Sequence, residues 1–301
     1  MTGIIIKALS GFYYVNSGDK LYTCKARGSF RKSGVSPLVG DRVEFTLSPD
    51  DTGIIDEILP RKTCLLRPPV ANIEKLFIVS SFKDPSPNTF IIDKLTVIAK
   101  HNGIEPIIVF NKCDMGDFSL WEKIYKNSGF KTFVISADNG SGLEQLKEEL
   151  RDSISAFTGN SGVGKSSILN YIFGKNIIAT GEVSEKLGRG RHTTRHTELY
   201  PLHFGGFVAD TPGFSAIETD NTDYSLKEDL ADYFEDFAEF INNCRFSSCS
   251  HTKEKGCAVI EAVKNGKIQP SRHESYITLF EELKDLKEWE IKKINHKGNI
   301  R

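Results

Sequence analysis

Residues 159–166 read GNSGVGKS, which fits G-x-x-x-x-G-K-[ST], a loop whose backbone closes around phosphate groups. Gly159, Gly162 and Gly164 leave room for N–H groups to point inward, Lys165 supplies a cation for the β- and γ-phosphates, and Ser166 offers a hydroxyl to Mg2+. The stretch Gly159, Asn160, Ser161, Gly162, Val163, Gly164, Lys165, Ser166 and Ser167 is therefore expected to wrap a nucleotide's phosphates at a helix N-terminus, which favours anions. Residues 111–114 read NKCD. The Asp114 carboxylate can accept from N1–H and the exocyclic amine of guanine, a donor pair that adenine lacks. Asn111 would brace the loops, the Lys112 stem would cover the base, and Cys113 completes the word. One β-α unit later ISA brings Ser136 and Ala137, whose backbone N–H could read guanine O6. DTPG (210–213) places Asp210 near the Mg2+ shell and Gly213 near a γ-phosphate. GRGRHTTRH (188–196) stands where a first switch belongs, with Thr193 or Thr194 placed to ligate Mg2+; Arg189, Arg191 and Arg195 could meet nucleic-acid phosphates, one could assist catalysis, or the stretch could be a solvated basic loop.

These words come in an unusual order, with the base reader before the phosphate loop. In a doubly wound sheet every ligand loop lies at the carboxyl ends of the strands, so the site depends on where strands sit and not on where the chain begins. Read circularly from GNSGVGKS, the order is GNSGVGKS, DTPG, NKCD, ISA, the usual GTPase order. Exposed loops tolerate such a cut and rejoining, and here the cut falls just after DTPG.

A second constellation is CRFSSCSHTKEKGC, or C-x4-C-x-H-x5-C. The three thiolates and one imidazole of Cys244, Cys249, His251 and Cys257 make a closed tetrahedral set suited to one structural Zn2+, with no position left for a catalytic water. The other cysteines, Cys24, Cys64 and Cys113, are scattered. Net charge is −1, so any nucleic-acid surface must be local. No apolar run approaches the roughly 20 residues of a membrane span and none resembles a secretory leader, which leads to the expectation of a soluble cytoplasmic protein.

The elements needed to carry these residues are legible as pattern. Residues 1–66 hold five short β-prone runs (GIIIKAL, FYYV, KLYTCKA, DRVEFTL, GIIDEIL) separated by turn chemistry, which predicts an OB-fold barrel, with an SH3-like barrel as runner-up. Lys7, Lys20, Lys25, Arg27, Arg31, Lys32 and Arg42, interleaved with Phe12, Tyr13, Tyr14, Tyr22 and Phe30, would suit RNA; equally, the rings could be core and the cations a solvated face. Over 67–217, strand-like KLFIVSSF, EPIIVFNKCD, KTFVISA, ISAFT and GGFVAD alternate with helical FIIDKLTVIAKHNG, LWEKIYKNSG and GLEQLKEELR, which predicts a parallel sheet covered on both faces. Residues 218–301 contain an acidic helical stretch (223–243), the Cys/His cluster and a long amphipathic helix with a basic tail. The fold class expected is an N-terminal OB barrel, a central circularly permuted α/β P-loop GTPase domain and a C-terminal α-helical zinc-binding domain.

This permuted order with both flanks resembles the RsgA (YjeQ) family of small-ribosomal-subunit-dependent GTPases, over nearly the whole chain. The resemblance implies GTP and GDP as ligands with Mg2+, one Zn2+ on the same four residues, binding to the small (30S) subunit and its 16S rRNA late in assembly, and a monomer when free. One departure from ordinary GTPases is Phe214, which follows DTPG where Ras-like enzymes place a water-orienting Gln. The resemblance includes an apolar residue there. Intrinsic hydrolysis is expected to be slow, and the sequence names no catalytic base. An RNA-binding scaffold with structural GTP is the alternative class; an adenine-nucleotide enzyme is disfavoured by NKCD.

Overall fold

The computed structural model describes residues 1–18, 20–49, 52–66, 69–174, 197–210 and 229–284. Strands β1 (Thr2–Leu9), β2 (Phe12–Ser17), β3 (Lys20–Ala26), β4 (Arg42–Leu47) and β5 (Gly53–Ile58) form where the five β-prone runs predict them. Alternation drives the closure: Val43 and Phe45 of β4 are buried while their neighbours Arg42, Glu44 and Thr46 face out. The strands β1, β2 and β3 pair antiparallel, β3 runs parallel to β5, and β4 joins β5 back to β1. With a short helix α1 (Gly28–Ser33) between β3 and β4, this is the OB arrangement. Ile5, Val15, Cys24, Val43, Phe45 and Ile55 fill its interior. Burial also pushes the Cys24 thiol up to about 11, as befits a core residue.

A hairpin, β6 (Cys64–Leu66) with β7 (Pro69–Ala71), leads to the second sheet. Its strands are β8 (Lys75–Ser81), β9 (Glu105–Asn111), β10 (Thr132–Val134), β11 (Ile154–Thr158), β12 (Glu198–Pro201) and β13 (Phe207–Asp210). Their spatial order is β10-β9-β8-β11-β13-β12, parallel except for β12, which pairs antiparallel with β13 at the edge. Strands β8, β9 and β11 are buried almost without interruption, as a sheet covered on both faces requires. Helices α2 (Thr89–His101), α3 (Ser119–Asn127), α4 (Leu143–Leu150) and α5 (Lys165–Phe173) provide the cover. Successive residues of β8 feed the two faces in turn. Leu76 and Ile78 join one core with Leu95 and Tyr125, while Phe77 and Val79 join another with Leu146 and Ile168.

Two features depart from the sequence-based picture. The barrel and the sheet are not separate: Lys7 of β1 pairs with Glu198 of β12, backbone to backbone, and the side chains form an ion pair at 3.0 Å, so one sheet runs through both. The acidic stretch expected to be helical is, from residue 229 onward, a chain of 3-10 turns at Leu230–Tyr233, Glu235–Phe237 and Ile241–Asn243. The turns deliver Phe234 and Phe237 into a third core with Val259, Ile268, Tyr276 and Val97 of α2. Helices α6 (Ala258–Lys264) and α7 (Pro270–Lys284) complete this part.

One side chain locks it to the sheet domain. Arg272 of α7 is fully buried. It donates from Nη1 to Asp93 Oδ1 of α2 (2.6 Å), from Nη2 to Asp236 Oδ1 (3.0 Å) and from Nε to Asp236 Oδ2 (3.3 Å). Its guanidinium lies 4.6 Å from the Phe234 ring centroid and 5.2 Å from that of Phe130. Among the described residues no helix is long and apolar enough to cross a membrane.

Candidate functional site

Strand β11 ends at Thr158 and α5 begins at Lys165, so the phosphate-loop residues form the turn between them, at the carboxyl edge of the sheet. Two glycines are obligatory there. Gly159 has φ of +134° and a Cβ on it would lie 2.1 Å from the Val79 carbonyl oxygen; Gly164 has φ of +93° and its Cβ would lie 2.2 Å from Asn111 Nδ2. No side chain caps the α5 N-terminus, which leaves its first amides to a ligand. Lys165 folds back on the loop, donating from Nζ to the carbonyls of Gly159 (2.5 Å) and Asn160 (2.9 Å). Ser166 is buried at the first turn.

Strand β9 ends at Asn111, and this side chain joins three of the predicted words. Asn111 is buried, donates from Nδ2 to the Val163 carbonyl (2.9 Å) in the phosphate loop, and accepts at Oδ1 from the Ala137 N–H (3.0 Å). Asn111 thus ties the phosphate loop to the loop of Ala137 by two hydrogen bonds. The Ala137 amide is held by Asn111 here, so reading guanine O6 requires it to turn from this partner. Lys112 takes a left-handed conformation (φ +68°), uncommon for a residue with a side chain, and its Nζ donates to the Lys83 carbonyl at 3.3 Å. The Cys113 N–H bonds to the Ile135 carbonyl (3.0 Å), and a 3-10 turn, Cys113–Met115, presents Asp114 to solvent. Ser136 Oγ donates to Asp114 Oδ1 at 2.5 Å, fixing the carboxylate. Asn111–Asp114, Ser136–Ala137 and Gly159–Ser167 therefore meet, although they come from three separate loops. Thr193, Thr194 and Gly213, with Phe214 and the arginines of 188–196, lie outside the described residues, as does the side chain of Asp210.

The four metal-ligand candidates also meet. Cys244 follows the last 3-10 turn, Cys257 caps α6, and the ligand atoms of Cys244, Cys249, His251 and Cys257 all lie within 4.8 Å of one another. A tetrahedral Zn2+ site with ordinary bond lengths has S···S edges of about 3.8 Å and S···N edges of about 3.6 Å. The observed Cys244–Cys257 Sγ separation is 3.8 Å, and His251 Nδ1 lies 3.4 and 3.6 Å from those two sulfurs. The donor set fits the ion. Burial holds His251 below the usual histidine range, which keeps the ring neutral and its Nδ1 lone pair available; burial pushes the Cys249 thiol up to about 12 in the metal-free set. The knuckle is braced from outside: His273 Nε2 meets the His251 carbonyl at 2.7 Å, and Tyr276 donates to the Ser250 carbonyl at 2.9 Å.

On the barrel, most of the aromatic rings named above serve the core. Tyr13, Tyr14, Tyr22 and Phe30 pack against the core. Lys7, Arg27 and Arg42 pair with Glu198, Asp56 and Glu74. Phe12 is partly exposed, with Lys25 Nζ 5.2 Å from its ring. The side chains of Arg31 and Lys32 lie outside the described residues. Sequence reasoning missed the Arg272 cluster, for which Asp93 alone on the apolar face of α2 was the available signal, and the ring of Phe82 beside the base-reading loop, for which there was none.

Known proteins share this organisation. The model of the RsgA N-terminal domain matches residues 2–55, and that of the RsgA GTPase matches residues 58–220. The small ribosomal subunit biogenesis GTPase RsgA of Caldanaerobacter subterraneus subsp. tengcongensis is 49% identical over 286 residues, covering 94% of this chain and 96% of the relative. That of Ruminiclostridium cellulolyticum is 44% identical, covering 99% of both. Among solved structures, YjeQ from Thermotoga maritima superposes with a TM-score of 0.80 at 36% identity, over 95% of this chain and 99% of that one. The circularly permuted GTPase YloQ gives 0.78 at 35% identity, over 95% and 96%. With both family models matched in sequence order, relatives similar over nearly their full length, and the three nucleotide words drawn together on Asn111, the chain belongs to the RsgA family of circularly permuted GTPases.

Proposed function

We propose that this chain hydrolyses GTP on the small (30S) ribosomal subunit during its biogenesis, that the subunit stimulates hydrolysis, and that the nucleotide state controls docking and release. The observation that supports it most is the convergence on Asn111 of the phosphate loop, the base reader and the loop of Ala137, at the carboxyl edge of a permuted sheet. In this reading the Gly159–Ser166 amides and Lys165, released from the Gly159 and Asn160 carbonyls, hold the β- and γ-phosphates. Ser166 and one of Thr193 and Thr194 take Mg2+, which neutralises phosphate charge when bound, with Asp210 in its shell and Gly213 at the γ-phosphate. Asp114, fixed by Ser136, accepts from the guanine edge.

Cys244, Cys249, His251 and Cys257 would hold one Zn2+ as a structural staple of the C-terminal part. The barrel (1–66) and that part (218–301) would bring 16S rRNA contacts to the central domain (67–217). The free protein is taken as a cytoplasmic monomer. Phosphate release from GTP, titrated with purified small subunits, tests the reading. Turnover should rise with subunit concentration. Binding of GTP and subunit without any rise in turnover would favour a scaffold in which the nucleotide is structural.

A further inference from the structure

We propose that Phe82 is a positioning residue for the guanine-reading loop, and that Gly116 is glycine because this ring occupies the place of its side chain. The inference rests on the reading of Asp114 as the guanine acceptor.

Phe82 follows the last residue of β8 and touches the base-reading loop at both ends. Its backbone N–H donates to the carbonyl of Asn111 (3.3 Å), the first residue of NKCD. Its ring covers Gly116, two residues beyond Asp114. A Cβ built on Gly116 would lie 2.1 Å from Phe82 Cζ and 2.2 Å from Cε1. The backbone at Gly116 is extended (φ 172°), a conformation open to any residue, so the ring and not the dihedral excludes a side chain. The ring is itself held. It stands edge-on to Phe118 (centroids 5.5 Å apart, 84°) and to Trp121 (6.3 Å, 89°), and Phe118 stacks on Phe110 of β9 at 5.0 Å. Asp114 is thus fixed from two sides. Ser136 grips its carboxylate from the β10 side, and Phe82 fixes the exit of its turn from the β8 side. Asp114 and Met115 are themselves exposed, and between the 3-10 turn and α3 the chain is otherwise held further on, by Asp117, which accepts from the Ser119 N–H (2.9 Å), and by Phe118, buried against Phe110.

A ring that only packs would affect stability; a ring that positions Asp114 also affects how the base is read. ITP lacks the exocyclic 2-amine that Asp114 is read to accept from, so the ratio of GTP to ITP affinity reports that contact. Phe82→Ala, Phe82→Leu, Gly116→Ala and the double variant Phe82→Ala/Gly116→Ala should be titrated with both nucleotides, alongside thermal melts. Gly116→Ala and Phe82→Ala are each expected to weaken GTP binding about tenfold, within the roughly hundredfold that a misplacement of about 1 Å can cost a positioned group. The GTP-to-ITP ratio should move towards one. In the double variant the new methyl enters the vacated space, and the ratio should recover towards that of the parent. Phe82→Leu keeps an apolar filler and serves if Phe82→Ala does not fold. A folded Phe82 variant with a lowered melting temperature but the parental ratio would overturn the proposal and leave the ring a packing element. Asp114→Asn separates the two levels. If it gains xanthosine triphosphate binding, the guanine reading stands and the Phe82 data judge this inference alone; if its GTP affinity is unchanged, the reading falls and the inference with it.

Discussion

Asn111 and Asp114 divide the work of the NKCD word in different ways. Asp114 is exposed, and it is the residue proposed to meet the base, whereas Asn111 is buried and spends both ends of its amide on the protein. Asp114→Asn should therefore leave the fold intact, weaken GTP binding and favour xanthosine triphosphate, because the amide presents a donor where guanine needs an acceptor. Competition binding with the two nucleotides checks this. Asn111→Ala should act on both: it strips partners from the Val163 carbonyl and the Ala137 amide, at about 1–3 kcal/mol for each group left buried and unpaired. A fall in melting temperature together with loss of GTP binding is the expected result, measured by calorimetry and titration. Both residues stood out in the sequence because their types at that spacing suit one base. Phe82 was not, since a ring that reaches a glycine from another strand leaves no periodicity or spacing to read.

Among the elements, α2 and α7 meet through Arg272, and here charge decides the energetics. Burial pushes the Asp93 carboxyl above its ordinary range and the Arg272 guanidinium pulls it back. Arg272→Met removes the cation and leaves carboxylates buried without it, which should cost about 3–5 kcal/mol in a denaturant titration. The sign with pH follows. Without the guanidinium the folded-state pKa of Asp93 rises further above the unfolded value, so the folded variant holds a proton that the unfolded chain has lost. Its stability then falls as pH rises through that window, and its deficit against the parent should be smaller at about pH 5 than at about pH 8. Cys249→Ser is expected to lower bound zinc, measured by metal analysis, and to loosen α6 and the knuckle while GTP binding is nearly kept, because the sheet has its own cores. The strands of the sheet were legible as continuous apolar runs, except the short edge strand β12, and those of the barrel as β-prone runs between turn residues. The 3-10 turns after residue 229 were not, because composition suggested helix while Phe234 and Phe237 were committed to a core built from residues far away in sequence.

In the molecule as a whole, DTPG is followed in sequence by the Cys/His part, and among the described residues no strand of the sheet comes after it. A nonhydrolysable GTP analogue is expected to change amide-exchange protection at 188–196 and over 214–243, and to tighten small-subunit binding relative to GDP. Replacing 216–222 by a Gly/Ser linker should leave GTP binding in place and shrink that difference; a full difference in the linker variant would move the coupling to the basic loop. The three-part division was legible because each part has its own pattern. The fusion of barrel and sheet through Lys7 and Glu198 was not, because one edge pairing between distant strands leaves no mark in either. Arg272 adds an order in time. Synthesis runs from the N-terminus, and domains fold as they emerge. Asp93 is made early and Asp236 later, yet the guanidinium that bonds both arrives only at residue 272. Until then the outer face of α2 carries an acid whose partner has not been translated. A chain released before residue 272, even with every nucleotide word complete, would lack the residue that closes this face, so the finished α2 surface records that synthesis has passed Arg272.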